Sequence, residues 1–169
     1  MSETIIIREF EPDEWRTYRS LRLRALAESP DSFGRTLAAE SQRPDAEWEH
    51  RLTSGAQSEN DLPLIATVDG EPSGLAWGRI EDTAPDVANL YQVWVAPEQR
   101  GKGLGKQLLE TVITWVSAKN VHRLELGVTL TNLAAVQLYK SYGFKPIGDP
   151  EPLRSGAELY AQDMRLTLK

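Results

Sequence analysis

Cysteine is absent from this 169-residue chain, which excludes disulfides, thiolate metal sites and a cysteine nucleophile at once. Histidine is nearly absent. His50 and His122 lie far apart in sequence, too few for a His-rich metal site or a Ser-His-Asp arrangement, so no metal is expected. A positive balance is lacking as well: the net charge of −6 provides no overall basic footprint for nucleic acid. No run approaches the ~18 consecutive apolar residues of a membrane span. Met1 to Thr4 shows neither the basic start nor the long apolar stretch of a secretory signal. These absences predict a cytoplasmic protein with neither nucleic acid nor membrane as a partner.

What is present supports one folded unit. At 40% hydrophobic the chain carries enough apolar material for a core, and its length fits a single domain over residues 1–169. Thr4 to Arg8 reads as a β-branched strand. Trp15, Tyr18, Leu21, Leu23, Ala25 and Leu26 follow at mostly helical spacing and stop before Pro30. Gly34 to Glu40 is ambiguous, and Pro44 to Leu52 reads as a second helix. Thr53 to Asp61 is polar and reads as an exposed loop. Two strands, Leu62–Val68 and Gly74–Glu81, flank a tight Asp69-Gly70 turn, and Asn89–Val95 is a third. The stripe Leu104, Leu108, Leu109, Val112, Ile113 and Val116 marks an amphipathic helix. Val121–Val128 is a strand, Asn132–Tyr142 a helix stopped by Gly143, and Glu158–Leu168 a final strand. The order predicts a mixed α/β (α+β) domain.

The segment Gln99-Arg100-Gly101-Lys102-Gly103-Leu104-Gly105-Lys106 joins a strand to a helix. Glycines let backbone approach a ligand closely, and free N–H groups at a helix start favour anions. A pyrophosphate ligand and an ordinary glycine-rich turn are both compatible with that segment taken alone. A Walker A loop is excluded, because Lys106 is followed by Gln107. A dinucleotide fingerprint is weakened and not erased: its third glycine falls on Lys106 or Leu108 depending on the start, while Glu125 lies about twenty residues on, as a ribose-binding acid would.

Downstream stands Asn132-x-x-Ala135-x-x-Leu138-Tyr139-x-x-x-Gly143-Phe144. Together with Arg100-x-x-Gly103-x-Gly105, this segment resembles the two motifs of the GNAT superfamily of acyl-CoA-dependent N-acetyltransferases, in the order that superfamily shows. The match is strong from about Leu90 to Phe144 and holds only in element order before that.

The resemblance implies a central, mostly antiparallel sheet in which strand 89–95 and strand 121–128 run parallel and splay apart. Acetyl-CoA would be the cosubstrate, its pantetheine arm bonding backbone near Val93 and Val95. Its pyrophosphate would lie on the backbone of Gly101, Lys102, Gly103, Leu104, Gly105 and Lys106, with Arg100 and Asn132 alongside. Tyr139 would be the acid that protonates the departing sulfur, and the partner would be an amine acceptor, a small molecule or a peptide, that attacks directly.

One position departs from the family pattern: Gly127 stands in Leu126-Gly127-Val128, where many members carry a glutamate serving as general base. Glu125 is a weak substitute, and the base stays unassigned. The departure keeps open a non-catalytic acyl-CoA-binding module on the same fold. A homodimer is left open too. The acids Glu81, Asp82, Asp86 and Glu125 predict a cationic acceptor. Trp15 is expected in the core. Phe33 and Trp48 are either core or acceptor wall, and Trp77 and Trp94 flank the groove.

Overall fold

The computed structural model describes residues 2–168. Strand β1 (Ile5–Glu9) pairs antiparallel with β2 (Asp61–Val68). β2 turns into β3 (Glu71–Ile80) through Asp69-Gly70, both in the left-handed region at φ 50° and 82°, as a two-residue hairpin demands. β4 (Val87–Val95) extends the sheet antiparallel to β3. Between β1 and β2 the chain forms α1 (Trp15–Glu28), the short α2 (Leu37–Ser41) capped by Thr36, and α3 (Asp45–Gln57). After β4 come α4 (Leu104–Ala118), β5 (Arg123–Thr129), α5 (Leu133–Ser141), β6 (Lys145–Pro146), β7 (Glu151–Pro152) and β8 (Tyr160–Thr167).

The sheet order is β1-β2-β3-β4-β5-β8-β6, with β7 also on β8. Every pairing is antiparallel except β4–β5. The expected fold class, with its single parallel pair, is what the chain adopts. Among the described residues no helix is long and apolar enough to cross a membrane.

Alternation along the strands builds two cores, one on each sheet face. Leu64 and Ala66 of β2 pack with Leu108, Leu109 and Val112 of α4, whereas Ile65 between them packs with Tyr18 of α1 and Trp48 of α3. Trp15 and Trp48 are core residues, buried on that second face.

The sequence reading fails at Thr53–Asp61. There α3 continues to Gln57 and β2 already begins at Asp61, so the loop is much shorter than its polarity implied. Gly55, within that expected loop, is buried inside the helix. A Cβ built there would lie 2.3 Å from Cζ2 of Trp77, so its smallness serves packing.

β4 carries the feature that shapes the site. Tyr91 faces Trp77 and Trp94 faces Leu75, so two residues of β4, Gln92 and Val93, oppose Ala76 alone. Gln92 sits at φ 60°, uncommon for a residue other than glycine. The side-chain alternation therefore reverses. Ala88 and Leu90 belong to the α4 core and Val93 and Val95 pack against it, while Trp94 joins the α1/α3 core.

Candidate active site

β4 and β5 are laddered at only three pairs, Val87–Arg123, Ala88–Leu124 and Asn89–Glu125. Beyond Asn89 the β5-facing backbone of β4 has no sheet partner, and a V-shaped seam opens toward the start of α4. A groove of about 770 Å³ occupies the seam, lined by Val93 and Val95 on one wall and Val128, Asn132 and Tyr139 on the other. A second cavity of about 740 Å³ lies on the α1/α3 side, lined by Arg22, Arg51, Trp77, Glu125 and Asp163 among others. Phe33, Leu90, Gln92, Leu126, Gly127 and Thr129 line both, so the two spaces meet at the seam.

At the head of the groove the chain turns from β4 into α4. Gly101 and Gly103 lie at φ 80° and 84°, and Gly103 is the N-cap with no side-chain cap. The first intrahelical bond runs from the Gln107 N–H to the Gly103 carbonyl, so the N–H groups of Leu104, Gly105 and Lys106 lack intrahelical acceptors. Gly101, Gly103 and Gly105 line the groove without side chains to fill it. This bare, donor-rich cradle fits a phosphate.

Two of the cationic side chains there are engaged elsewhere. Arg100 donates from Nε to the Val95 carbonyl and pairs with Glu28. Lys102 pairs with Glu3 and bonds Gln99, and neither Lys102 nor Lys106 lines the groove. Leu104 is buried in the α4 core.

Asn132 caps α5, its Oδ1 accepting the Ala135 N–H at 3.3 Å, and it lines the groove at the same time. Tyr139 is buried, and burial pushes its phenol up to about 12. Among the described residues nothing hydrogen-bonds its hydroxyl. The Gly143-Phe144 pair is a helix terminator. The Gly143 N–H donates to Lys140 and the Phe144 N–H to Tyr139, the paired bonds of a Schellman ending, with Gly143 at φ 97°. The Phe144 ring packs on Tyr139 at 5.6 Å. The cap thus positions the phenol. Gly143→Ala is expected to cost about 1–2 kcal/mol, because an L residue is strained in that conformation; thermal melting measures it, and an unchanged Tm would contradict it.

Of the acids expected to draw a cation, Glu125 alone lines the second cavity, and Arg165 holds its Oε2 at 2.7 and 2.8 Å. Glu81 pairs with Arg79, Asp86 with Arg123, and Asp82 lies near Asn60. The carboxylate that sequence reasoning missed is Asp163 on β8. It is the ladder partner of Gly127, and its Oδ1 lies 3.4 Å from where a Gly127 Cβ would be. An acid therefore reaches the space beside Gly127 from the neighbouring strand. Only the β5–β8 register reveals it.

Arg22 was missed too. It is 3% exposed on α1, its guanidinium stacks on Phe33 at 4.6 Å, and burial pulls its pKa below the ordinary arginine value. Phe33 is buried and also lines both cavities, whereas Trp48 lines neither. Trp77 lines the second cavity and Trp94 the groove.

The model of the Acetyltransferase (GNAT) family matches residues 9–144. The chain belongs to the GNAT acetyltransferase family. Among its GNAT relatives, the [ribosomal protein bS18]-alanine N-acetyltransferase of Salmonella typhimurium is 35% identical over 97 residues, 57% of this chain and 64% of that protein. The chain thus spans less than two thirds of that relative's length. The solved GNAT-family acetyltransferase from Streptococcus pneumoniae superposes with a TM-score of 0.81 at 25% identity, covering 98% of this chain and all of that one. The structure of yncA from Salmonella typhimurium, which holds its cofactor acetyl-CoA, superposes equally well at 20% identity, covering 98% and 95%.

Proposed function

We propose that this GNAT chain transfers an acetyl group from acetyl-CoA to a primary amine by direct attack. The observation that carries the reading is the junction of two cavities at the β4–β5 seam: a thioester threaded along one meets an amine held in the other. Acetyl-CoA supplies an activated acyl group, and the chain supplies the surroundings. The free N–H groups of Leu104, Gly105 and Lys106 hold phosphate, and the glycines keep that backbone uncovered. The unpaired edge of β4 near Val93 and Val95 offers donors and acceptors to an amide-bearing arm, and Asn132 borders it. An N–H on that edge stabilises negative charge on the reacting carbonyl oxygen. Tyr139 donates a hydrogen bond to the departing sulfur, while Asp163 and Glu125 border the space from which the amine proton must leave. No nucleophile from the protein is needed.

The first test is thermal melting. At about one hundred times Kd, acetyl-CoA is expected to add about 2.7 kcal/mol of stability, a Tm rise of roughly 5–10 °C. NAD is expected to add nothing. Gly103→Asp puts a carboxylate on the phosphate cradle and is expected to abolish the rise, whereas Gly103→Ala, equally strained at φ 84°, keeps much of it. Stabilisation by NAD alone would overturn the cosubstrate. Coupled thiol release across amine classes tests turnover and separates the enzyme from a binding module.

A further inference from the structure

The second cavity holds a charge that the protein itself leaves unanswered. Arg22 is nearly fully buried, yet its Nε and Nη1 have no hydrogen-bond partner, and no carboxylate lies within ion-pair distance among the described residues. The nearest candidate counterion is already divided. Glu40, 1% exposed, stands 2.7 Å from Arg43, 3.6 Å from Arg51 and 3.8 Å from Arg35. Arg22, Arg35 and Arg51 all line the cavity with it. Burying an unpaired guanidinium is costly, and a folded chain tolerates it where something else completes the pair.

The position of Arg22 narrows what that something is. It stacks on Phe33, which lines both cavities, so it borders the junction where the amine must sit. Tyr18, one helical turn earlier, donates to Gln92 at the bulge, which fixes this part of α1 against the seam. The opposite wall carries Glu125 and Asp163. Arg165 answers Glu125, which leaves Asp163, without an ion pair among the described residues, as the acid of the β5/β8 side, so the cavity is bipolar, cationic toward α1 and α3 and acidic at Asp163.

We propose that the acceptor is a small amino carboxylate whose carboxylate docks on Arg22 while its amine lies at the seam beside Asp163. A guanidinium presents a planar fork that matches a carboxylate, and Asp163 across the cavity suits the ammonium before it loses its proton. This replaces the plain cation predicted from net charge, because the acids behind that prediction, Glu125 apart, lie outside the cavity. The inference rests on the acetyltransferase reading of the same site.

The experiment is a matched acceptor series with the unaltered protein: the common amino acids, their carboxamides, the decarboxylated amines and N-terminal peptides, scored by thiol release. Free amino acids are expected to be acetylated, with kcat/KM at least about 10²-fold above the carboxamide or decarboxylated amine of the same side chain, since a site built around a charged group rejects the analogue lacking it. Arg22→Gln is expected to erase that preference chiefly through KM. Arg22→Lys restores part of it, and the acceptor series decides the question even if Arg22→Gln does not fold.

Carboxamides, amines or peptides turned over as well as the acids would overturn the proposal. So would a protein stabilised by acetyl-CoA that acetylates no amino acid. Absence of acetyl-CoA stabilisation would instead overturn the acetyltransferase reading beneath it.

Discussion

Tyr139→Phe is expected to lower kcat by about 10²–10⁴-fold while leaving the acetyl-CoA-induced rise in Tm nearly intact. The variant removes one oxygen from a buried ring that is otherwise held by Phe144 and the α5 cap. The hydroxyl has no partner within the described protein, so its loss leaves no orphaned group and little cost in stability. With a pKa of about 12 the phenol is fully protonated at neutral pH and ready to donate.

An ordinary thiol titrates near 8.5, so full transfer from this phenol to sulfur is uphill by about 3–4 pK units. In the proposed reaction Tyr139 would therefore act by donating a hydrogen bond as the carbon–sulfur bond breaks, and the net proton would come from the amine being acylated. No alkaline limb below about pH 10 should originate from it. Its effect on stability has a defined sign. Below pH 10 folded and unfolded chains both hold the proton. Between about 10 and 12 only the unfolded chain releases it, so stability falls as pH rises. An unchanged kcat, measured where chemistry limits turnover, would remove Tyr139 from the reaction.

The largest expected loss of stability follows Trp48→Ala. Trp48 is fully buried and meets Tyr18 edge-on at 5.7 Å. Truncating such a side chain costs about 3–5 kcal/mol, against a total of about 5–15 kcal/mol for a typical domain. For a chain of this size the Tm should drop by roughly 6–20 °C. The ring also backs Tyr18, whose hydroxyl holds Gln92, so the acceptor KM should rise along with the instability. Trp48→Phe should cost far less, because the indole Nε1 it removes is buried without a partner. A fall of less than about 3 °C for the alanine variant would show that the core closes over the gap.

The fold and the turn at the head of the groove were legible in the sequence because both rest on local signals. The glycines at 101, 103 and 105 and the stripe of α4 announce their backbone directly. So do the Asn132 cap and the Gly143-Phe144 terminator, and each lies where it was expected. The ion pairs of Arg100 and Lys102 were not legible, since a basic residue near a loop says nothing about which carboxylate it will meet. Glu28 and Glu3, distant in sequence, meet them.

The second cavity was less legible because tertiary pairing assembles it. Asp163 reaches Gly127 only through the β5–β8 register. Arg22 did leave a signal. Counting from Tyr18, the buried stripe of α1 runs through Leu21, Arg22, Ala25 and Leu26, whereas Leu23 lies off it. A charged residue on the apolar stripe of a helix is the anomaly that marks the site.

The bulge at Gln92 sets a rule of parity for the chain. From Val87 to Leu90 the strand addresses its side chains in one phase, and from Val93 onward in the opposite one. Losing a single residue there would exchange the wall of Val93 and Val95 with the buried Trp94, moving an indole toward the α4 core and two valines toward α1. Gaining one would do the same, whereas a change of two would restore both faces. The segment between Leu90 and Val93 is therefore intolerant of a change by one in length, and the seam where the two cavities meet depends on that odd residue.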